Sequence, residues 1–289
     1  MQPPSKPSKS EQPTTYFVQG RHNKEELTRL VIQDRMVTAA MGGVLPEQPD
    51  PTQFRQVLDV GCGSGQWAIE AAQTYPTMSL VGVDISLRMV EYARAQAEAA
   101  GVADRVEFHV MDALLILEFP SEIFDLVNLR MGGSFIRTWE WSKLLLEFQR
   151  VTKPGGVIRI TEPEMIHRSS SPALKQFWDM FTCAMHKSGH FFEPESTGLT
   201  THMARLLKQY GCKQVQTKVY PIRYRAGTAE KEAFSNDTIH LLRTLRPYIE
   251  KWGCASKDYD VICQQTLDEM QQPDFYADWD MQTTWGYRG

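Results

Sequence analysis

The chain lacks what marks a membrane span. No run approaches the ~18 consecutive apolar residues that a crossing helix needs. It also lacks cysteine pairs. Its five cysteines, Cys62, Cys183, Cys212, Cys254 and Cys263, are odd in number and show no Cys-x-x-Cys spacing. That argues against a structural zinc site, so no metal is expected. It also leads us to expect reduced thiols in a cytosol-like, cytoplasmic setting. Positive charge is not in excess, since 31 Lys and Arg face 35 Asp and Glu for a net of −4. A nucleic-acid backbone is therefore a poor default partner, because such binding is driven by Lys and Arg neutralising phosphates. Residues 1–15, rich in Pro, Ser, Lys and Gln, have no apolar stretch of the kind a signal peptide carries. They read as a disordered tail. There is no internal repeat.

What remains is an ordinary globular composition, 42% hydrophobic and 23% charged over 289 residues. A chain of this size buries roughly 75% of its unfolded surface without staples. A helix is expected over 24–40, with Leu27, Leu30 and Val31 on one face. Pro46, Pro49 and Pro51 mark 45–53 as a linker. An alternation then begins, with strands over 56–60, 79–84, 106–110, 124–129 and 157–161. Helices are expected between them over 66–75 and 87–100, and around the Trp141, Leu144, Leu145, Phe148 stripe. Ser86 is a fair N-cap and Gly101 a good stop. Pro154-Gly155-Gly156 reads as a turn. Strands alternating with helices imply a parallel sheet covered on both faces.

Beyond Glu164 the pattern changes. One apolar helical stripe runs through Leu174, Phe177, Trp178, Phe181 and Met185, and another through Leu199, Met203, Leu206, Leu207 and Tyr210. A strand over 215–223, helices over 229–251 and 257–270, and a last strand over 281–287 complete the reading. The domain plan is a tail over 1–15, a helical cap and linker over 16–52, and one α/β domain over 53–289. Insertions at about 165–196 and 227–280 act as lids.

The chemistry concentrates in Val57-Leu58-Asp59-Val60-Gly61-Cys62-Gly63-Ser64-Gly65-Gln66. A strand enters a glycine turn that opens a helix, so backbone N–H groups lie open to a ligand. The third glycine is Gly65, and Gln66 stands where a dinucleotide fingerprint needs glycine. Together with Asp59, that disfavours a nicotinamide-dependent oxidoreductase. Asp84 ends the second strand, where a carboxylate accepts from both ribose hydroxyls, and Asp112 follows the third. Three acids thus sit at the strand ends where open α/β sheets bind ligands.

These residues resemble the class I S-adenosylmethionine-dependent methyltransferases. The likeness extends through Val81–Ser86, Met111–Ala113, Phe124-Asp125-Leu126-Val127 and Lys153-Pro154-Gly155-Gly156-Val157, about 110 residues in all. A narrower resemblance joins Tyr16 and Gly20, followed by Glu26, Arg29, Leu30 and Gln33, to a bacterial subgroup acting on small specialised metabolites. The family resemblance implies a Rossmann-like seven-stranded sheet of order 3-2-1-4-5-7-6 with strand 7 antiparallel. It implies that Gly61, Gly63 and Gly65 line the cofactor's methionine half with Asp59 beneath. Asp84 would hold the ribose and Ile85 pack on adenine. Asp112 would accept from the adenine amino group, with Met111 and Ala113 beside it. Asn128 and Leu129 would offer a main-chain carbonyl. Arg130 would face the methionine carboxylate or the acceptor, and Tyr16 and Arg21 would close the site.

Methyl transfer is mainly alignment, because the cofactor carries the activated group. If the acceptor keeps its proton, a base is needed, and His190, His186 and Glu162 are candidates. The two histidines do not read as a metal pair, because Ser188-Gly189 interrupts a helix between them. No Asn/Asp-Pro-Pro-Tyr/Phe motif follows strand 4, and no Pro-Cys nucleophile appears. The lids carry Trp178, Phe181, Phe191, Phe192, Trp252 and Tyr259. Such covers suit a small, partly apolar acceptor, aromatic or isoprenoid, held away from water. A macromolecular acceptor would need an open groove. A non-catalytic cofactor-binding protein would keep the same glycine turn. A monomer or homodimer is the default assembly.

Overall fold

The computed structural model describes residues 24–289, so the expected tail, Tyr16 and Arg21 lie outside the described residues. The face expected over Leu27 and Leu30 also falls outside the described side chains. The chain begins with helix α1 (Lys24–Met41). Then come β1 (Gln56–Val60), α2 (Gln66–Thr74), β2 (Ser79–Asp84), α3 (Leu87–Ala99) and β3 (Val106–Val110). They are followed by β4 (Phe124–Arg130), α4 (Trp141–Val151), β5 (Thr152–Ser169), α5 (Pro172–Lys187) and α6 (Thr200–Gln209). The last elements are β6 (Cys212–Arg225), α7 (Ala229–Thr244), α8 (Arg246–Lys251), α9 (Tyr259–Glu269) and β7 (Tyr276–Arg288). The seven strands form one sheet of order β3-β2-β1-β4-β5-β7-β6. β1 to β5 pair in parallel, and β7 runs antiparallel to β5 and β6.

Successive strand residues point to opposite faces, so one strand feeds two cores. Leu58 and Val60 join the cluster that buries the α4 stripe of Trp141, Leu144, Leu145 and Phe148. Val57 and Leu80 join Trp67 and Ala71 of α2 and Val90 and Ala93 of α3 on the other face. Buried on both sides, β1 reads as a continuous apolar run broken only by Asp59.

Three expectations on element boundaries change. Pro154-Gly155-Gly156 is not a separating turn but an irregularity inside β5, where five residues from Thr152 to Val157 pass two from Phe124 to Leu126. Gly155 takes the excess at φ +73°. Next, β5 continues past Thr161, the partner of Arg130, to Arg168 and Ser169, which pair with Asp278 and Ala277. At ~3.3 Å per residue this carries the antiparallel β5–β7–β6 ribbon roughly 25 Å beyond the end of β4. Residues 165–169, expected to begin an insertion, therefore belong to β5. Third, the helix expected over 229–251 divides at Leu245, because Pro247 has no N–H for a continuous ladder.

The cysteines give a further correction. Cys183 of α5 is disulfide-bonded to Cys254, which follows α8, across 71 residues of sequence. Only Cys62, Cys212 and Cys263 are free thiols. Spacing gave no sign of this pair, because packing of α8 against α5 creates it. Among the described residues, no helix is long and apolar enough to cross a membrane.

One polar line crosses the buried sheet. Asn128 Nδ2 donates to Asp59 Oδ1 at 2.8 Å, and Asn128 Oδ1 accepts from Arg159 Nη1 at 2.7 Å. Arg159 Nε donates to Glu47 Oε1 at 2.7 Å, and Tyr220 donates its hydroxyl to Glu47 Oε2 at 3.2 Å. The Arg159 and Glu47 side chains are 1% and 0% exposed. Arg159 beside it holds the Glu47 carboxyl below the usual range, although burial pulls the other way.

Two outcomes follow. Arg159→Leu leaves Glu47 buried without its cation and lowers unfolding free energy by about 3–5 kcal/mol in urea titrations. Glu47→Leu combined with Arg159→Leu loses less than that, and a double variant as unstable as the single would refute the pairing. Alkylation of the denatured chain should label three cysteines without reductant and all five after it; five in both cases would mean an open bridge.

Candidate active site

The strand ends of β1, β2, β4 and β5 open into a cavity of about 250 Å³, the scale of a small-molecule site. Its floor is the glycine turn. Gly61, Gly63 and Gly65 all have positive φ, at +67°, +52° and +74°. At Gly63 a Cβ would meet nothing within 4 Å, so the backbone there faces open space. At Gly65 a Cβ would fall 2.6 Å from Phe108 and 2.7 Å from Ala93, so this glycine serves helix–strand packing. Cys62 N donates to Val83 O at 2.9 Å and ties the turn to β2.

Asp84 fixes the other end of that tie. Its Oδ2 accepts from Gly63 N at 3.0 Å and its Oδ1 from Ser86 N at 2.8 Å. Both oxygens thus face backbone N–H groups at the turn and at the start of α3. Ser86 caps α3 as expected, its hydroxyl accepting from Met89 N. Met111 N donates to Asp84 O at 3.0 Å, which brings Asp112 next to Asp84. The Asp112 carboxylate accepts from Leu114 N at 2.9 Å.

Of the expected site residues, Asp59, Gly61, Gly63, Asp84, Arg130 and Glu162 line the cavity. Ile85, Met111, Asp112 and Ala113 stand at the β2 and β3 ends outside its wall, as does packed Gly65. Asn128 and Leu129 are fully buried in β4. Arg130 turns toward α1, with Nη2 3.1 Å from Asp34 Oδ1 and Nη1 donating to Thr38 Oγ1 at 3.0 Å. That ion pair is the structural alternative to a cofactor or acceptor contact that the sequence leaves open for Arg130.

The two histidines are not brought to the cavity. His186 is exposed on the last turn of α5, its Nδ1 3.3 Å from the carbonyl of Phe191. α5 ends at Lys187, and Gly189 at φ +83° turns the chain away. His190 is buried, with Nδ1 2.7 Å from Ser188 Oγ, which also lies 2.5 Å from the Tyr248 hydroxyl. The Ser188–His190–Tyr248 group thus joins the end of α5 to α8. Among the described residues no cluster of His, Cys, Asp or Glu has metal-holding geometry.

Glu162 does reach the cavity. It is 1% exposed, and its two oxygens accept from Gly133 N at 3.2 and 3.1 Å. Gly132-Gly133 opens the 3-10 turn after β4, where a side chain would crowd its neighbours. A Cβ on Gly133 would lie 2.4 Å from Leu199 and 3.2 Å from Glu162 Oε2. Burial pushes the Glu162 carboxyl up to about 8, against the Gly133 and Gly132 N–H groups. Burial likewise lifts Asp59 to about 7, against Asn128 and Arg130.

The far half of the cavity is aromatic. Trp178, Phe181 and Phe191 line it, but Phe192, Trp252 and Tyr259 do not. Sequence reasoning missed Phe135, Tyr224, Phe234, Asp237 and Trp279. Phe135 packs on Gly61, its ring 2.9 Å from where a Cβ would stand. Tyr224 had a usable signal in the alternation Tyr220, Ile222, Tyr224, all inward on β6. Trp279 had none, since β7 was expected to begin at 281.

Residues 57–156 match the family described as a methyltransferase domain. With the strand order and the glycine turn, this match makes residues 57–156 similar to the class I S-adenosylmethionine-dependent methyltransferase domains. Its relatives differ in acceptor. The chain is 37% identical over 109 residues to a demethylmenaquinone methyltransferase of Symbiobacterium thermophilum, covering 36% of this chain and 42% of that enzyme. It is 32% identical over 114 residues to the U6 snRNA (guanine-N(2))-methyltransferase THUMPD2 of Bos taurus, covering 39% and 23%. The chain thus spans less than half the length of these relatives. The second of them means that an acidic net charge does not by itself exclude nucleic acid. Phosphoethanolamine N-methyltransferase 2 of Haemonchus contortus, with phosphomonomethylethanolamine and S-adenosylhomocysteine, superposes with TM-score 0.50. That likeness has 21% identity over 90% of this chain and 52% of the other, and it speaks for the fold alone.

The buried carboxyls set a pH signature. Folded Glu162 keeps its proton up to about 8, whereas the unfolded residue releases it near 4.5. The folded state binds more protons between these values, so this contribution is complete below about 4.5 and is lost as pH rises through about 8. Glu162→Gln cannot titrate. Scanning calorimetry should show its Tm rising relative to wild type between about pH 5 and 8. A constant offset across that range would sink the assignment.

Proposed function

We propose that the chain transfers a methyl group from S-adenosylmethionine to a small, partly apolar acceptor, aromatic or isoprenoid in body, by in-line displacement. The observation that carries this is one cavity with a glycine turn and Asp84 on its floor and aromatic helices and strands over it. The residues fit the cofactor: Gly63 faces open space, the Asp84 carboxylate lines the cavity, and Asp112 stands beside it. In this reading Asp84 accepts from the ribose hydroxyls, Ile85 packs on adenine, and Asp112 accepts from the adenine amino group between Met111 and Ala113. Gly61 and Gly63 admit the methionine half above Asp59, which Asn128 orients. Arg130 holds α1 over this half through Asp34. When bound, the cofactor supplies a methyl group on a sulfonium.

The chain's own contribution is placement and exclusion of water. Alignment of the acceptor at ~3–3.5 Å supplies roughly 7–11 kcal/mol of barrier reduction. Glu162 lines the cavity and can take a proton only in its ionised form, reached as pH rises through about 8. The menaquinone-type relatives support a small acceptor, and so does a chamber lined by aromatic rather than basic side chains.

Calorimetric titration with S-adenosylmethionine and S-adenosylhomocysteine should give micromolar binding, weakened at least ~10-fold, or ~1.4 kcal/mol, by Asp84→Ala. A folded wild type that binds neither would end this reading.

A further inference from the structure

Two helices carry much of the chamber's roof. Trp178, Phe181 and Met185 of α5 line it. So do Phe234, Thr238 and Leu241 of α7, with Leu245 at the junction to α8. Those α7 positions recur at i, i+4, i+7 and i+11, so one face of the helix looks into the cavity.

Beyond Leu245 the chain wraps around α5. The Tyr248 hydroxyl of α8 lies 2.5 Å from Ser188 Oγ and 3.3 Å from Met185 Sδ. Past α8, Lys187 Nζ donates to the carbonyl of Gly253 at 3.3 Å. Ser256 N then donates to Met180 Sδ at 3.2 Å, and Tyr259 of α9 meets Phe177 edge-on at 6.5 Å. The Cys183–Cys254 bridge sits within this wrap. At ~100° per residue, Cys183 stands roughly 140–160° around the α5 axis from Trp178, Phe181 and Met185. The bridge therefore fastens the far side of α5 and not the chamber wall itself.

Apart from the buried Ser188–Tyr248 contact, the polar ties of this wrap to α5 are weak. Thioether sulfur is a poor acceptor, and Lys187 and Gly253 are exposed to water. The bridge is the covalent tie among them, and a crosslink restricts how far the joined segments can part. Cys183 and Cys254 are only half-buried, with exposed Lys187 one turn along α5 and exposed Gly253 adjacent, so a small thiol can approach. None of these ties reaches the glycine turn. That turn is fixed to β2 by Cys62 N on Val83 O and by Gly63 N on Asp84.

We propose that the Cys183–Cys254 bridge is a redox latch on the chamber roof. Closed, it holds α8, and through it the end of α7, against α5; opened by a dithiol, it releases them and leaves the glycine turn in place. In the opening step a thiolate of the dithiol attacks one sulfur, the Sγ–Sγ bond breaks and a mixed disulfide forms. The dithiol's second thiol then displaces the cysteine. Two electrons and two protons pass to Cys183 and Cys254, which end as thiols, while the dithiol closes to a cyclic disulfide. Order in the acceptor half thereby follows the thiol–disulfide balance around the protein, and cofactor binding does not. This goes beyond the methyltransferase reading and does not depend on it.

The test is hydrogen–deuterium exchange of the full chain, oxidised and after dithiothreitol. Amides over 241–253 should exchange at least ~10-fold faster in the reduced chain, as local opening of the roof requires. Amides over 57–70 should keep their rates within ~2-fold. S-adenosylhomocysteine, titrated by calorimetry, should bind both forms alike. Cys254→Ser should match the reduced protein with or without dithiothreitol. Equal exchange over 241–253 in the two redox states overturns the latch. So does a bridge that excess dithiothreitol cannot open in the folded chain. A rise over 57–70 as large as that over 241–253 overturns it too, because the bridge would then staple the whole domain. If Cys254→Ser fails to fold, the two redox states of the wild type decide alone. Loss of S-adenosylhomocysteine binding in both forms would strike the methyltransferase reading instead, while exchange over 57–70 still reports on the turn.

Discussion

A guanidinium group cannot stand alone in the middle of a sheet, and the placement of Arg159 governs much of this molecule. Its side chain is 1% exposed, so its charge and its donors need partners inside the protein. Glu47 supplies the charge and Asn128 an acceptor. The consequence runs in two directions. Outward, it pins the proline-bearing segment after α1 against β5, which fixes where α1 leaves the sheet. Inward, Asn128 is held with its amide toward Asp59, under the glycine turn. One buried ion pair thus sets the helix over the cavity and the carboxyl group beneath it. Neither partner can be removed alone without stranding the other.

The cavity has two halves built on different principles. The glycine-turn half is made of backbone: positive φ angles, N–H groups, and Asp84 bridging the turn to α3. The aromatic half is made of side chains from α5, β6, α7 and β7. β5 contributes Glu162, Pro163 and Met165 to the same cavity. The neighbours of Glu162 are small by necessity, since Gly133 must approach closely to donate.

Legibility in the sequence divided along the same line. The strand–turn–helix at Gly61–Gly65 and the positions of Asp84 and Asp112 at the strand ends were readable because local spacing determines them. The alternation of the first five strands was readable for the same reason, and with the family resemblance the sheet order of all seven followed. The extension of β5 was not readable, because Glu162 to Ser169 alternates poorly and its partner lies more than a hundred residues away in β7. The Cys183–Cys254 bridge was hidden by 71 residues of separation. His190 looked catalytic by type, but the turn at Gly189 commits it to Ser188 and Tyr248. Long-range pairing decided each of these points, and no local pattern encodes it.

The β5–β7–β6 ribbon gives the chamber a wall continuous with the sheet that carries the cofactor turn. On β6, Tyr220, Ile222 and Tyr224 point inward, while Pro221, Arg223 and Arg225 point outward. Of the ribbon's side chains, Tyr224 of β6, Trp279 of β7 and Met165 of β5 reach the chamber, so exchanges there reshape it and leave the backbone ladder intact. A lineage, or an engineer, can retune which molecule fits by moving along one edge of the ribbon, without disturbing the glycine turn some distance below. Acceptor range and cofactor use are separable traits in such an architecture, held on one rigid frame.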